Sequence, residues 1–227
     1  MKQSVHTLKT QVTRTLHLNY LLSLPRGYET ESGARWPVIL FLHGIGERGI
    51  HPESLKKHGI PKVVEEGKEL PFITVSPQCP PRTTWGDHIA ALDALLHEVV
   101  ATYMVDTARS YLTGLSMGGY GTWRLATLYP NRFAAIAPIC GGGSVAYGFP
   151  QRVCVLKDVP VWVFHGAQDT TVPLRESEVL VKTLRRCGGK VRFTVYPEAG
   201  HDSWTETYNN PALYTWFLEH RRKEEEK

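Results

Sequence analysis

Ser116 stands in Gly114-Leu115-Ser116-Met117-Gly118, a serine with a glycine two residues to either side. A serine hydroxyl is a weak nucleophile until a neighbouring base takes its proton. The G-x-S-x-G spacing serves that chemistry where a strand turns sharply into a helix and leaves the serine at the tip, with the glycines admitting backbone packed around it. Alone, the motif also describes a glycine-rich turn with a solvated serine, so the reading depends on partners. Two follow along the chain. Asp169 comes just after the apolar run Val161-Trp162-Val163-Phe164, and His201 just after Val191 to Tyr196. Serine, acid and histidine in that order, each past a strand end, suit a nucleophile, an orienting carboxylate and a general base. Asp202 and Glu198 are rival acids, but they lie too near His201 in sequence to orient its ring.

A fourth element, His43-Gly44-Ile45-Gly46-Glu47-Arg48-Gly49, follows the most apolar strand. A carbonyl under attack needs donors aimed at its developing oxyanion. The backbone N–H groups of Met117 and, by position, Ile45 are the expected pair. Glu47 and Arg48 are expected to pin this loop, and Thr170 and Thr171 the loop of Asp169. His43 and Gly44, with Trp85 and Trp204, are candidates for the substrate pocket. His43 and His165 each precede a turn glycine and read foremost as loop-holding histidines. A metal held by His43, His165 and His201 is the weaker alternative, since it lacks a close-spaced ligand pair. No metal or cofactor is expected. Tyr120 and Trp123, on the helix after Ser116, read as core.

Short apolar runs must position these residues, alternating with amphipathic stretches. Strands are expected over Leu16 to Leu24, Val38 to Leu42, Phe72 to Ser76, Ser110 to Thr113, Ala134 to Pro138, Val161 to Phe164 and Val191 to Tyr196. Helices are expected over Asp87 to Tyr103, where Ile89, Leu92, Leu96, Val99 and Tyr103 recur at three- and four-residue steps, and over Met117 to Tyr129 and Pro173 to Cys187. Leu213, Trp216 and Phe217 mark a last one. This alternation predicts an α/β class, a mostly parallel sheet with helices on both faces; with the elbow motif and the order of serine, acid and histidine, the expectation is the α/β-hydrolase fold without a cap domain. Residues 1–227 are expected to form a single catalytic domain, with 1–14 an edge strand or the remnant of an upstream segment. Only about twenty residues separate Pro138 from Val161, too few for a lid, so an open site with a flexible rim at Gly141-Gly142-Gly143 is expected.

Composition narrows the partners. A net charge of +4 without a basic stripe disfavours nucleic acid. No apolar run reaches membrane-spanning length, and the N-terminus lacks a signal peptide's apolar core. A soluble protein is expected, cytoplasmic or secreted with its signal removed. The tail from His220 to Lys227 mixes both charge signs and reads as a solvated helix end. Cys79, Cys140, Cys154 and Cys187 fit no zinc spacing; they read as reduced, mostly buried thiols, with a Cys140–Cys154 bridge as the alternative.

The segments H-G-I-G-E-R-G, P-Q-C-P, Y-L-T-G-L-S-M-G-G-Y-G-T-W, I-C-G-G-G, P-V-W-V-F-H-G-A-Q-D and F-T-V-Y-P-E-A-G-H-D-S-W together resemble the compact phospholipase/carboxylesterase-type α/β hydrolases, whose relatives include feruloyl-esterase-like enzymes and predicted peptidases. The resemblance spans about residues 20 to 220. It implies a cofactor-free carboxylesterase acting on small or short-acyl esters, and by motif position it supports Ser116, Asp169 and His201 as the triad. A serine peptidase or amidase with the same triad is the alternative. A binding protein on a dead hydrolase scaffold is disfavoured, because no triad position is missing.

Overall fold

The structure, a computed structural model, describes residues 3–11, 13, 15, 17–30 and 33–222. Seven strands form one sheet: β1 (Tyr20–Ser23), β2 (Trp36–Leu42), β3 (Ile73–Pro77), β4 (Val105–Leu115), β5 (Ala135–Ile139), β6 (Val161–Gly166) and β7 (Val191–Tyr196). Their order across the sheet is β1-β3-β2-β4-β5-β6-β7. Only β1 runs antiparallel to its neighbour, pairing Tyr20 with Pro77 and Ser23 with Thr74. Six helices complete the described chain: α1 (Gly59–Glu65), α2 (Ile89–Thr102), α3 (Met117–Leu128), α4 (Arg175–Arg186), α5 (Trp204–Asn209) and α6 (Pro211–Leu218). This is the α/β-hydrolase architecture expected from the alternation of apolar runs.

The side-chain alternation of β2 shows why the sheet is covered on both faces. Val38, Leu40 and Leu42 enter one core with Leu92 of α2, Trp123 of α3 and Leu184 of α4. Ile39 and Phe41 enter the other with Ile60 of α1, Tyr208 of α5 and Phe217 of α6. Each such fully buried side chain contributes about 1.5–3 kcal/mol relative to exposure. At the start of α6, Asn210 accepts the Ala212 N–H at 2.9 Å and Pro211 occupies the first turn, where its missing donor costs nothing.

Several expectations are corrected. The described residues among 1–14 form no strand; the edge strand is Tyr20–Ser23, inside the run expected from Leu16. Residues 1, 2, 12, 14 and 16 lie outside the described residues. α1 and α5, seven and six residues long, add to the expected helices; segments so short carry no readable helical period. The bridge is Cys154–Cys187, with Cα atoms 5.5 Å apart, and Cys79 and Cys140 are buried free thiols. Cys187 ends α4 and meets Cys154 in a 3-10 turn (Gln151–Leu156), whereas Cys140 is sealed at the end of β5. The tail leaves α6 before His220. Arg221 pairs with Asp106 at 2.8 Å, and 223–227 lie outside the described residues.

Candidate active site

Four strand ends converge at the carboxyl edge, where the chain leaves β2 towards β3 on one side and leaves β4 towards β5 on the other, opening a crevice between them. β4 ends at Leu115, and Ser116 turns the chain into α3 with φ 52° and ψ −117°. A left-handed φ is costly for a serine and persists only where the surroundings fix it. Here they do: the Ser116 N–H donates to the Ile139 carbonyl at 3.0 Å. Gly118 lies so close to the Leu42 carbonyl that a Cβ there would collide with it.

The structure brings Ser116, Asp169 and His201 together. The Asp169 carboxylate, its side chain fully buried, receives the His201 Nδ1–H at 2.7 Å through Oδ2. Its Oδ1 accepts the Thr171 and Val172 N–H groups, each at 2.9 Å. Because a carboxylate only accepts, Nδ1 carries the His201 proton. Nε2 is therefore the acceptor, and it lies 2.9 Å from Ser116 Oγ. The His201 side chain keeps 22% of its exposure, so water and substrate can reach the ring while its acid stays sealed. The Trp204 ring stands edge-on to His201, 5.2 Å between centroids.

Ile45 and Met117 each begin a helix, so neither N–H has an intrahelical acceptor, and both residues line the cavity beside Ser116. Glu47 and Arg48 pin the loop as expected. Glu47 Oε2 accepts the Gly44 N–H at 3.0 Å, and Arg48 donates to the carbonyls of Ile45 (3.1 Å) and Thr83 (3.2 Å).

The cavity has a volume of about 390 Å³. Met117, Tyr120, Gly121 and Arg124 of α3 share one helix face at steps of three and four residues and form one wall. Trp85 and the segment from Gly142 to Phe149 form others. Thus Tyr120, read as core, is a pocket residue, while Trp123 is core. His43, Gly44 and Trp204 do not line the cavity. His43 is a buried structural group: its Nε2 accepts the Cys79 N–H at 2.9 Å and its carbonyl accepts the Trp85 Nε1–H at 3.0 Å. Desolvation by burial lowers its pKa to about 4. The expected flexible rim is also corrected. Gly141 packs backbone to backbone against Gly119, too close for a Cβ, and Gly143 packs on Phe149. The segment folds into 3-10 turns that close the cavity on one side without amounting to a cap.

His165, expected to hold a loop, does so. Nε2 reaches the Val172 carbonyl and Nδ1 the Ser177 Oγ, both at 2.8 Å. It also stands beside Asp169, a contact that its four-residue separation could have suggested. The three histidines do not form one ligand set. Among the described residues, Cys140, Asp169 and His201 lie close enough to share an ion. Burial pushes the Cys140 thiol up to about 12, and a protonated thiol is a poor ligand. A separate hollow of about 430 Å³ around Tyr129, Arg132 and Arg222 includes Thr107 and Ser110, at the amino-terminal part of β4, away from Ser116.

The chain is 27% identical over 189 residues to a bifunctional acetylxylan esterase/xylanase of Neocallimastix patriciarum, an alignment covering 79% of this chain and 26% of that protein. It is 25% identical over 219 residues to a poly(3-hydroxyoctanoate) depolymerase of Pseudomonas fluorescens, covering 84% and 76%. A thermostable esterase of known structure superposes with a TM-score of 0.76 at 34% identity, covering 90% of this chain and 60% of the other. The chain thus spans about a quarter of the bifunctional protein and under two thirds of the thermostable esterase. Among the described residues, no helix is long and apolar enough to cross a membrane. The family pattern described as Phospholipase/Carboxylesterase matches residues 82–212, which run from the cavity wall through Ser116, Asp169 and His201. On that match the chain belongs to the phospholipase/carboxylesterase family of α/β hydrolases.

Proposed function

We propose that the protein is a serine carboxylesterase acting on small or short-acyl esters, with Ser116 as nucleophile, His201 as general base and Asp169 as the acid that orients it. The observation carrying this reading is the continuous bonded path from Asp169 through His201 to Ser116 Oγ. His201 Nε2 takes the hydroxyl proton as Oγ attacks the ester carbonyl carbon, and the carbonyl π pair moves to oxygen. The Met117 and Ile45 amides donate to that oxyanion. When the tetrahedral species collapses, the C–O bond to the alcohol breaks and His201 returns its proton to the departing alkoxide. Water then attacks the acyl-enzyme, with His201 taking its proton and passing it to Ser116 Oγ.

The bounded cavity supports small acyl groups. A panel of p-nitrophenyl esters and matched anilides tests the reading. Turnover of the esters, little of the anilides, and loss of both on Ser116→Ala with the fold retained is the expected result. A sulfonyl fluoride should label Ser116 and EDTA should leave activity unchanged. Near-wild-type turnover by Ser116→Ala would remove that serine from the mechanism.

A further inference from the structure

General-acid chemistry at His201 fixes which half of an ester goes where. The leaving alcohol must depart within reach of His201 to receive its proton. The cavity beside Ser116 is walled by Ser116 and Met117, but by neither His201 nor Trp204. It therefore lies on the acyl side. One of its walls is the α3 face that begins at Met117 and ends at Arg124, seven residues or about 10 Å further along the helix axis. Trp85, Tyr120, Tyr147 and Phe149 make the lining largely aromatic, with Thr84, Ser144 and Thr171 as its hydroxyl-bearing members besides Ser116.

The cation at the far end has no counter-charge. Among the described residues, Arg124 makes no ion pair and no side-chain hydrogen bond; its Nε is buried without a partner. Its guanidinium lies over the Tyr147 ring at 4.0 Å, which engages a face of the group and leaves its in-plane donors free. Desolvation and the nearby Arg152 charge both work against the Arg124 cation, and Tyr147 alone offsets them. Glu176 stands beside Gly142 and Tyr120 but does not form part of the cavity wall. A partly buried guanidinium without an acid is a standing site for a planar anion, which it can hold through two parallel N–H···O bonds.

Resting on the carboxylesterase reading above, we infer that this cavity takes the acyl half of esters whose acid carries a second, terminal carboxylate, and that Arg124 is the residue recognising it. The aromatic walls receive the apolar middle of the acyl arm, and the guanidinium receives its charged end. Arg124 then selects among substrates and takes no part in bond making.

The test compares mono-p-nitrophenyl esters of adipic and suberic acid with p-nitrophenyl hexanoate and octanoate, using acetate as the reference ester. In the unaltered protein, kcat/KM for at least one hemi-ester should exceed that of its uncharged counterpart by about tenfold or more, as a charge-assisted bond supplies. Arg124→Gln should collapse that ratio towards one, and Arg124→Lys should retain part of it. Free adipate or suberate should compete with the hemi-esters in the unaltered protein and lose potency in Arg124→Gln. A ratio at or below one in the unaltered protein, or one unchanged by Arg124→Gln, overturns the inference. Failure to hydrolyse even the acetate ester would instead overturn the carboxylesterase reading.

Discussion

His165 places its Nε2 3.3 Å from Asp169 Oδ2, the same oxygen that receives the His201 Nδ1–H. One carboxylate oxygen thus sits between two imidazoles of different character. Desolvation by burial lowers the His165 pKa and favours the neutral ring. Since the Val172 carbonyl can only accept, the proton of that ring sits on Nε2, on the side facing Asp169. His165 therefore acts as a positioning residue for the acid. His165→Phe should lower kcat by about 10- to 100-fold, the scale of a small misplacement of reacting groups, with KM little changed. Steady-state kinetics on an acetate ester decide it; an unaltered kcat would reduce His165 to a loop support.

Asp169→Asn should cost on the order of 10⁴ in kcat, because an amide no longer enforces the His201 tautomer that leaves Nε2 free to accept. The rival acids are engaged elsewhere. Asp202 accepts from Thr205 N and Oγ1, each at 2.9 Å, and Glu198 faces Gln168 at 3.4 Å. Asp202→Asn and Glu198→Gln should leave turnover within a few-fold of the unaltered protein. A severe loss in either, with Asp169→Asn mild, would reassign the acid.

The bounded cavity limits neutral acyl chains. Each methylene buried contributes about 0.8 kcal/mol, or roughly fourfold in kcat/KM, until the space is full. From acetate upward, kcat/KM should therefore climb, stop within about six carbons and then fall. No jump should appear when the ester exceeds its solubility. A profile still rising at palmitate, with activation at the emulsion threshold, would mean that the segment from Gly142 to Phe149 moves as a lid.

Acid should weaken the fold through His43. The unfolded chain takes a proton on this residue near 6.5, and the folded chain only near 4. Between those values the unfolded state binds more protons, so stability falls as pH drops through the window and is full above it. The full effect is at most about 3 kcal/mol. Thermal unfolding from pH 7 to 4 should show a shallower decline of Tm in His43→Gln, whose amide oxygen can still accept from Cys79. Equal slopes would place the acid sensitivity on other groups.

The Cys154–Cys187 bridge closes a separation of 33 residues. Loop-entropy reasoning gives it about 3–4 kcal/mol. Replacing both cysteines by serine should lower Tm by about 5–15 °C, measured against the unaltered protein without reductant. A shift under about 2 °C would show that the reduced chain is held together there by its packing.

The proximity of Ser116, Asp169 and His201 was legible because each follows an apolar strand closely, so sequence position and spatial position coincide for them. The pinning of the loop by Glu47 and Arg48 was legible for the same reason, since the contacts are local. The pocket was harder. Its wall joins α3 to a segment some twenty residues further on, and only the helical register of Met117, Tyr120, Gly121 and Arg124 carried a signal. The cysteine pairing was not legible, because what brings Cys187 to Cys154 is the packing of α4, which spacing does not encode. The glycine run from Gly141 to Gly143 was misread as slack, when its missing side chains serve close packing against Gly119 and Phe149.

Helix α4 has two attachments that belong to different parts of the site. Near its start, Ser177 Oγ stands 2.8 Å from His165 Nδ1 and 2.9 Å from the Gly141 carbonyl, beside Asp169. Just past its end, Cys187 is tied to Cys154, in the turn that follows the pocket wall. The helix is thus a rigid beam with the relay hung from one end and the acyl compartment from the other. Sequence drift along its outer face is cheap, but a change in its seating would be transmitted to both ends together. On the carboxylesterase reading, variants selected for a wider compartment should therefore come disproportionately with altered rates.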